Sequence, residues 1–325
     1  MLSLQKTINY HSKGLSHILI LKDGRLSSSS SDGSLIIYNE NFEPDLIINE
    51  HKDIVNYHIQ LRNENIVTCS WDYTLKIIKL IGKDKYEVVQ ILKAHEFVVD
   101  KAIELEDGRL LNCADDNYII IWKKNTNNDL YELEKKVVNS LVEFPNANIV
   151  LINKNLLLGT SLNEFKLRFY EIDNNFQLIY SFDSIHCCFS RNSILYIEER
   201  DLLLVGGSGK YNGGIYLFKL KKIPYLIGNV HTNWIRNAHS IILLEDGNVL
   251  IGLEEYKRKK DLIIDEQFSI CKFKIIENDK KLKLVNKLGK AHISLINGLI
   301  EWKEKDLIVS CSHDKQIKLW KMNDK

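Results

Sequence analysis

The stretch SCSHDKQIKLW (310–320) places Ser312, His313 and Asp314 side by side, and these are the three residue types of a hydrolytic triad. In a triad the serine attacks, the histidine takes its proton and the aspartate orients the histidine, so all three side chains must converge. Successive residues of a β-strand point to opposite faces, and direct neighbours therefore diverge. The run does not predict catalysis, and its residue types need an architectural explanation.

The cysteines are a second candidate for chemistry. They stand at positions 69, 113, 187, 188, 271 and 311, with no Cys-x-x-Cys pair. Cys69, Cys113 and Cys311 each precede an aspartate by three residues, which indicates one strand position in different repeats. Because separate repeats do not bring such residues onto one ion, we expect small buried side chains there rather than metal ligands.

The glycine-rich segment LLLVGGSGKYNGG (202–214) is the remaining candidate, as a phosphate-binding loop. A phosphate loop holds its ligand at the N-terminus of a helix, whereas this segment leads into a short strand. We therefore predict no catalytic residues, no metal and no cofactor. The expected protein is not an enzyme.

Composition narrows the partners. The chain has 325 residues, 45% of them hydrophobic, and a formal net charge of +1. So small a charge gives no general attraction to nucleic acid or membranes, and neither is expected as a partner. No apolar run reaches about eighteen residues, and no secretory signal is visible near the start. With the unpatterned cysteines, this favours a reducing compartment, the cytoplasm, with a nuclear location left open.

Seven hairpin signals recur along the chain. Three have Asp-Gly between apolar runs: LKDGRLSS (21–28), LEDGRLLN (105–112) and LEDGNVLI (244–251). This dipeptide favours a tight turn because glycine adopts positive φ at little cost. Four more share the layout with other turn residues: RNENIVTC (62–69), NKNLLLGT (153–160), ERDLLLVG (199–206) and KEKDLIVS (303–310). Short apolar runs without a sustained helical period predict strands, so the chain is predicted to be all-β.

Histidines that precede these hairpins are periodic. They are His11, His51, His95, His186, His231 and His292, with gaps of 40, 44, 91, 45 and 61 residues. The gap of 91 corresponds to two units, and the gap of 61 to one unit with an insertion. The 33 residues after His292 and the first 11 residues would complete a further unit of 44. Seven units of this length predict a propeller with four strands per blade.

The spacing inside the units resembles that of the WD-repeat β-propeller family, and the resemblance covers the whole chain. The family unit has a histidine, an aspartate in a tight turn about 21 residues later and a tryptophan about six residues after that. Four units here keep the pair, as His11–Asp32, His51–Asp72, His95–Asp116 and His292–Asp314. Two keep the tryptophan, as Trp122 and Trp320.

The resemblance implies one domain over residues 1–325, a closed ring of seven blades with four antiparallel strands each. It also implies that the His, Asp and Trp of a unit form a buried hydrogen-bonded network with a strand Ser or Thr. Only five residues follow Trp320, too few for a fourth strand in the last blade. Residues 2–9 (LSLQKTIN) are predicted to supply that outer strand and to remove an unpaired edge.

In this family the rim that carries the pre-blade loops and the Asp turns is the usual partner-binding face. The resemblance therefore implies a non-catalytic scaffold that binds a peptide or protein, as a monomer within a larger complex. The residues expected to bind a partner there are Trp71, Phe189, Arg191, Trp234, Arg236 and His313. Aromatic residues and arginine are enriched at binding hot spots. For Phe189 and Trp234, packing between blades is an equal alternative.

An alternative function is that of a substrate receptor or adaptor subunit in a complex such as a ubiquitin ligase. Such propellers often carry Trp-Asp-x-Arg after the third strand, whereas this chain has WKKN (122–125) and WKMN (320–323). The insertion, at about 253–267, lies between the second and third strands of the sixth unit. Its basic run KRKK (257–260) is expected in a solvated loop, or else as a contact for an acidic or phosphorylated ligand.

Overall fold

The fold is built almost wholly from β-strands. The computed structural model describes residues 2–138, 147–161, 166–183, 188–208, 214–220, 224–231, 235–259, 262–276 and 280–322. Across these ranges the helical segments are two 3-10 turns, Glu198–Arg200 and Lys303–Lys305. No helix in the same ranges is long and apolar enough to cross a membrane. The predicted all-β class is confirmed.

The chain divides into two compact units, unit 1 (Met1–Leu15 and Ile185–Lys325) and unit 2 (Ser16–Ser184). The first strand, β1 (Leu2–Ile8), belongs to unit 1. The next sixteen are β2 (Leu15–Ile20), β3 (Leu26–Ser30), β4 (Leu35–Tyr38), β5 (Pro44–Ile48), β6 (Val55–Gln60), β7 (Ile66–Ser70), β8 (Leu75–Ile81), β9 (Lys85–Leu92), β10 (Val99–Glu104), β11 (Leu110–Ala114), β12 (Tyr118–Lys124), β13 (Tyr131–Val138), β14 (Ala147–Asn153), β15 (Leu156–Ser161), β16 (Lys166–Glu171) and β17 (Gln177–Asp183). They form four-stranded sheets in chain order, β2–β5, β6–β9, β10–β13 and β14–β17.

Unit 1 holds the remaining strands. They are β18 (Cys188–Ile197), β19 (Leu202–Ser208), β20 (Gly214–Lys219), β21 (Tyr225–His231), β22 (Ile235–Leu243), β23 (Val249–Lys259), β24 (Leu262–Ile276), β25 (Lys281–His292), β26 (Ile296–Trp302), β27 (Leu307–Ser312) and β28 (Ile317–Met322). Two sets of four strands, β18–β21 and β22–β25, are joined into one eight-stranded sheet where Asn192 pairs with Ser240. The last sheet has the order β1-β28-β27-β26.

The three Asp-Gly segments form tight hairpin turns. Gly24, Gly108 and Gly247 have φ values of 83°, 86° and 77°, in the left-handed region that glycine adopts without strain. In the first turn the Gly24 N–H donates to the Leu21 carbonyl at 2.8 Å, and the Leu21 N–H donates to the Arg25 carbonyl at 2.8 Å. These hairpins are confirmed at the positions that the dipeptide predicts.

The hydrophobic core of each unit lies between neighbouring sheets. In unit 2 one cluster joins sheet β6–β9 to sheet β10–β13, and further clusters join the sheets on either side. In unit 1 one cluster joins β18–β21 to β22–β25, and another reaches the last sheet. Strands inside a sheet are therefore buried on both faces, and β7, β11 and β27 do not alternate between buried and exposed residues.

The first strand of the chain supplies the outer strand of the last sheet. β1 pairs antiparallel with β28, from Leu2 opposite Met322 to Ile8 opposite Ile317. This pairing matches the prediction for residues 2–9. The edge of β28 is covered in this way, and its backbone hydrogen-bonding groups find partners inside unit 1.

The insertion in the sixth unit is a hairpin extension rather than the expected loop. β23 and β24 continue as paired strands through the inserted residues, with Glu255 opposite Gln267 and Lys259 opposite Leu262. The expectation of a solvated loop is wrong here because the backbone groups of the two arms pair with each other instead of with water. Lys260, the last residue of the basic run, lies outside the described residues.

Candidate functional site

A buried chain of hydrogen bonds organises the last repeat of unit 1. His292 places Nδ1 2.8 Å from Asp314 Oδ2 and Nε2 2.8 Å from Ser310 Oγ. The Trp320 indole N–H donates to the same Ser310 oxygen at 2.8 Å. Because an ionised aspartate only accepts, Nδ1 carries the histidine proton and Nε2 accepts from the serine hydroxyl.

This arrangement answers the question raised by Ser312, His313 and Asp314. The histidine that faces Asp314 is His292, at the end of β25, and the serine behind it is Ser310. Their connectivity is that of a hydrolytic triad, but Ser310 is fully buried and no substrate reaches its hydroxyl. His313 is exposed next to the turn.

The second repeat has the same core with other residue types. His51 lies 2.8 Å from Asp72 Oδ2 through Nδ1 and 2.7 Å from Thr68 Oγ1 through Nε2. Asp72 also accepts from the Lys52 N–H at 3.1 Å and from the Thr74 hydroxyl at 2.6 Å. One carboxylate thus ties the loop before β6 to the turn between β7 and β8.

The buried hydrogen-bond network of the third repeat is incomplete. His95 Nδ1 lies 2.7 Å from Asp116, and the Trp122 indole N–H donates to Asn112 Oδ1 at 2.7 Å. Asn112 occupies the strand position that Thr68 and Ser310 hold in the other two repeats. Asn112 Nδ2 and His95 Nε2 are both buried without a hydrogen-bond partner. An amide replaces the hydroxyl here, and the chain of hydrogen bonds is broken at that point.

The first repeat is divided between the two units, and each part is described separately. In unit 1, His11 is buried. In unit 2, Asp32 Oδ1 accepts from the Ser34 N–H at 3.0 Å and from the Ser34 hydroxyl at 2.6 Å, which closes the turn. Tyr38 stands at the tryptophan position, and its hydroxyl lies 2.8 Å from Ser28 Oγ.

Charge states in these networks follow from burial and hydrogen bonding. Burial alone would raise the pKa of Asp72, Asp116 and Asp314, but donation from the paired histidine and from backbone N–H groups outweighs it and lowers each pKa. Burial lowers the pKa of His292, and this outweighs the attraction of Asp314. The last repeat therefore holds a neutral histidine against an ionised aspartate.

Each Asp turn presents two neighbouring residues, one before and one after the aspartate. The residue after the aspartate has a positive φ in all four: Gly33 at 86°, Tyr73 at 68°, Asn117 at 72° and Lys315 at 72°. Glycine and asparagine adopt this conformation readily, whereas a bulky side chain is strained in it. Tyr73 is the aromatic residue among the four, and strain of this kind is concentrated at functional sites.

Aromatic side chains gather around these turns in unit 2. Trp71, before Asp72, is 37% exposed, and the backbone N–H of Trp71 donates to the Ile54 carbonyl at 3.0 Å. Tyr73 is 47% exposed, and its ring centre lies 6.5 Å from that of Phe97. Tyr118, at the end of the next Asp turn, is 37% exposed. Exposed aromatic residues held by hydrogen-bonded turns are typical of binding surfaces.

We name this region the turn surface of unit 2. It comprises residues 31–34, 50–54, 71–74, 94–98 and 115–118. The His–Asp bonds join each loop to its turn, and the contact of Tyr73 with Phe97 joins the second repeat to the third. The segments therefore form one continuous surface within unit 2.

The structure describes the side chains of two of the predicted binding residues. Trp71 lies on the turn surface of unit 2, and His313 lies at the Asp turn of the last repeat in unit 1. Trp234 and the side chains of Phe189, Arg191 and Arg236 lie outside the described residues. Among the described residues, no group of three His, Cys, Asp or Glu side chains is arranged to hold a metal ion.

Sequence reasoning missed Tyr73, Phe97 and Tyr118. Each predicted residue stands directly before a turn aspartate or three or five residues after a histidine, and these three stand at other positions. The signal for Tyr73 was present, because a tyrosine occupies the place that glycine holds at position 33. The contact between Tyr73 and Phe97 depends on the packing of neighbouring repeats, which spacing alone does not specify.

Two comparisons with known proteins bear on the family. A family model described as "WD domain, G-beta repeat" matches residues 283–321, the segment that contains His292, Asp314 and Trp320. The mouse protein WD repeat-containing protein 41 is 26% identical over 130 residues, which is 39% of this chain. The match spans 27% of the length of the mouse protein.

The four-stranded antiparallel sheets and the His–Asp turns define an all-β repeat protein of the propeller class. Together with the matched repeat and the distant relative, they support the resemblance of this chain to the WD-repeat family. The resemblance predicted from the His–Asp spacing is confirmed. Proteins of this family generally mediate protein–protein interactions and are typically non-catalytic.

Proposed function

We propose that this chain is a non-catalytic scaffold that binds a peptide or protein partner, with Trp71 at the centre of the contact in unit 2. The observation that carries the proposal is the aromatic group Trp71, Tyr73, Phe97 and Tyr118 on hydrogen-bonded turns. Large aromatic side chains contribute contact area at low conformational cost, and they dominate the energetics of interfaces.

The strain at Tyr73 supports the same proposal. A tyrosine in the left-handed region costs roughly 1–2 kcal/mol relative to an ordinary backbone conformation. Gly33 shows that the turn forms without any side chain at this position. A residue that costs stability and adds an exposed ring is accounted for if that ring contacts a partner.

The proposal also includes the other residues predicted to bind a partner, and the sequence pattern is what supports them. Phe189-Ser-Arg191-Asn192 and Trp234-Ile-Arg236-Asn237 repeat an aromatic-x-Arg-Asn motif in successive units. His313 stands before Asp314 as Trp71 stands before Asp72. These residues belong to unit 1, and we expect them to contact a partner there.

Affinity purification with mass spectrometry tests the proposal. The tagged wild-type chain is compared with Trp71→Ala and with a Trp234→Ala/Arg236→Ala double variant, each expressed in cells of the natural source. Tyr225→Ala is the matched control, because Tyr225 is 43% exposed on the outer strand β21, away from any Asp turn.

We expect the main partner to be lost with Trp71→Ala and with the double variant, and to be retained with Tyr225→Ala. Melting temperatures measured on the same proteins separate lost contact from lost folding. Full recovery of the partner by Trp71→Ala and by the double variant would refute the proposal.

A further inference from the structure

The turn surface of unit 2 has more carboxylates than cations, although the whole chain is nearly neutral. It carries seven carboxylates: Asp32, Glu50, Asp53, Asp72, Glu96, Asp115 and Asp116. Lys52 lies on the surface, and Lys76 and Lys136 reach it from neighbouring strands by donating to the Glu50 and Ala94 carbonyls. Even with His51 and His95 protonated, the carboxylates outnumber the cations by seven to five.

The acidic character persists at neutral pH. Asp72 and Asp116 stay ionised because hydrogen bonds from His51 and His95 outweigh the effect of burial on their pKa values. Asp53 is exposed in the loop 50–54, and Glu96 is exposed in the loop 94–98 next to Phe97. Their field adds to that of the turn aspartates and attracts positive charge to the aromatic group.

The aromatic rings are suited to the same kind of ligand. The face of an aromatic ring attracts a cation through its quadrupole, and tryptophan and tyrosine are the most effective. The surface already contains one such contact, since Lys136 Nζ lies 5.8 Å from the centre of the Tyr118 ring. Trp71 and Tyr73 expose more than a third of their surface and offer similar contacts to an incoming cation.

We propose that the turn surface of unit 2 binds a basic segment of a partner protein, one rich in lysine or arginine. This inference deepens the proposed function and rests on it, because it names the chemistry of the segment that contacts Trp71 and Tyr73. Carboxylates draw the segment in and set its orientation, while the aromatic rings contact the aliphatic stems and cationic heads of its side chains. Acidic and phosphorylated segments are repelled by the same charges.

Fluorescence anisotropy with labelled decalysine and decaglutamate peptides tests the inference on the full chain. Two variants separate the contributions of the aromatic rings and the carboxylates to binding. Tyr73→Gly removes one ring. The triple variant removes three negative charges by the changes Asp53→Asn, Glu96→Gln and Asp115→Asn. An Asp84→Asn/Glu87→Gln double variant is the charge control, because both residues are exposed at the β8–β9 hairpin of unit 2.

We expect decalysine to bind, decaglutamate not to bind, and the decalysine affinity to fall as salt rises. Each surface variant should weaken decalysine binding about tenfold, the size of one lost cation–π or close charge contact. The Asp84/Glu87 control should bind as wild type. Melting curves identify any variant that fails to fold. If either the Tyr73→Gly variant or the triple variant does not fold, the decalysine affinity of the other one tests the inference.

Three results would overturn the inference: no binding of decalysine, equal binding of both peptides, or equal affinity for wild type and the triple variant. None of these affects the proposed function if Trp71→Ala still loses the partner in the purification. If Trp71→Ala and the Trp234→Ala/Arg236→Ala double variant both retain the partner, the proposed function fails together with the inference.

Discussion

The second repeat and the last repeat have nearly the same interior and opposite surfaces. In both, a histidine bridges an aspartate and a strand hydroxyl, with distances between 2.7 and 2.8 Å. Outside, the second repeat presents Trp71 and Tyr73 among carboxylates. The last repeat presents His313 and Lys315 at the same two positions.

The difference separates the residues that hold the fold from those that give the surface its specificity. The histidine and aspartate recur because they join loop and turn, and neither side chain is exposed. The flanking positions vary freely between aromatic, basic and small residues because they point out of the network. A repeat can therefore change its binding chemistry without disturbing its own hydrogen bonds.

Removing the aspartate should have the largest effect on stability. Asp314→Ala is expected to lower the free energy of unfolding by about 3 kcal/mol, since it breaks a buried pair and leaves His292 without its acceptor. Asp72→Ala should cost about 2 kcal/mol, because the Asp72 side chain is 10% exposed and that of Asp314 is 1% exposed. Denaturant unfolding measures both values. A loss below about 1 kcal/mol for Asp314 would show that the network is not structural.

Acid should destabilise the protein in two stages. The pKa of His292 is lowered by burial, so the unfolded chain binds a proton that the folded chain does not as pH falls through about 6.5. The lowered pKa values of Asp72, Asp116 and Asp314 add a second loss as pH falls below about 4.

Unfolding free energies at about pH 8, 6 and 4 test this prediction, with His292→Gln as the comparison. The variant should lose less stability than wild type between pH 8 and 6. Stability that rises on acidification, or an identical slope in the variant, would contradict it.

Spacing predicted the interior of the repeats better than their surface. The buried network is encoded by spacing, because its partners lie at fixed places on paired strands. The His–Asp pairs are 21 or 22 residues apart, and Trp320 stands six residues beyond Asp314. The contact between Tyr73 and Phe97 arises where adjacent repeats meet, and no spacing within one repeat encodes it. The hairpin formed by the insertion was missed for a related reason, because a run of charged residues does not reveal pairing between two arms.

The third repeat offers a smaller test of the network. Asn112→Ser should raise the free energy of unfolding by about 1 kcal/mol, because a hydroxyl can accept from Trp122 and donate to His95, as Ser310 does between Trp320 and His292. Thr68→Asn is the reverse change and should destabilise by a similar amount. Denaturant unfolding of both variants measures the difference. A less stable Asn112→Ser would show that the amide makes contacts that a serine does not replace.

The smallest effect on stability is expected at the residue after the aspartate. Tyr73→Gly and Lys315→Gly each relieve a left-handed backbone, a gain of roughly 1–2 kcal/mol that the greater freedom of glycine in the unfolded chain offsets by about 0.5–1 kcal/mol. Both variants should be as stable as wild type or up to about 1 kcal/mol more stable. A marked loss for Tyr73→Gly alone would mean that its contact with Phe97 is structural.

The most direct test of the account is a paired measurement on Tyr73→Gly and Lys315→Gly, with stability and partner recovery determined on the same preparations. The two substitutions make the same backbone change, one on the acidic aromatic surface and the other at the basic turn of the last repeat. The account predicts that both proteins stay folded, that Tyr73→Gly loses the partner, and that Lys315→Gly retains it. Retention of the partner by Tyr73→Gly, or equal loss by both variants, would contradict the account.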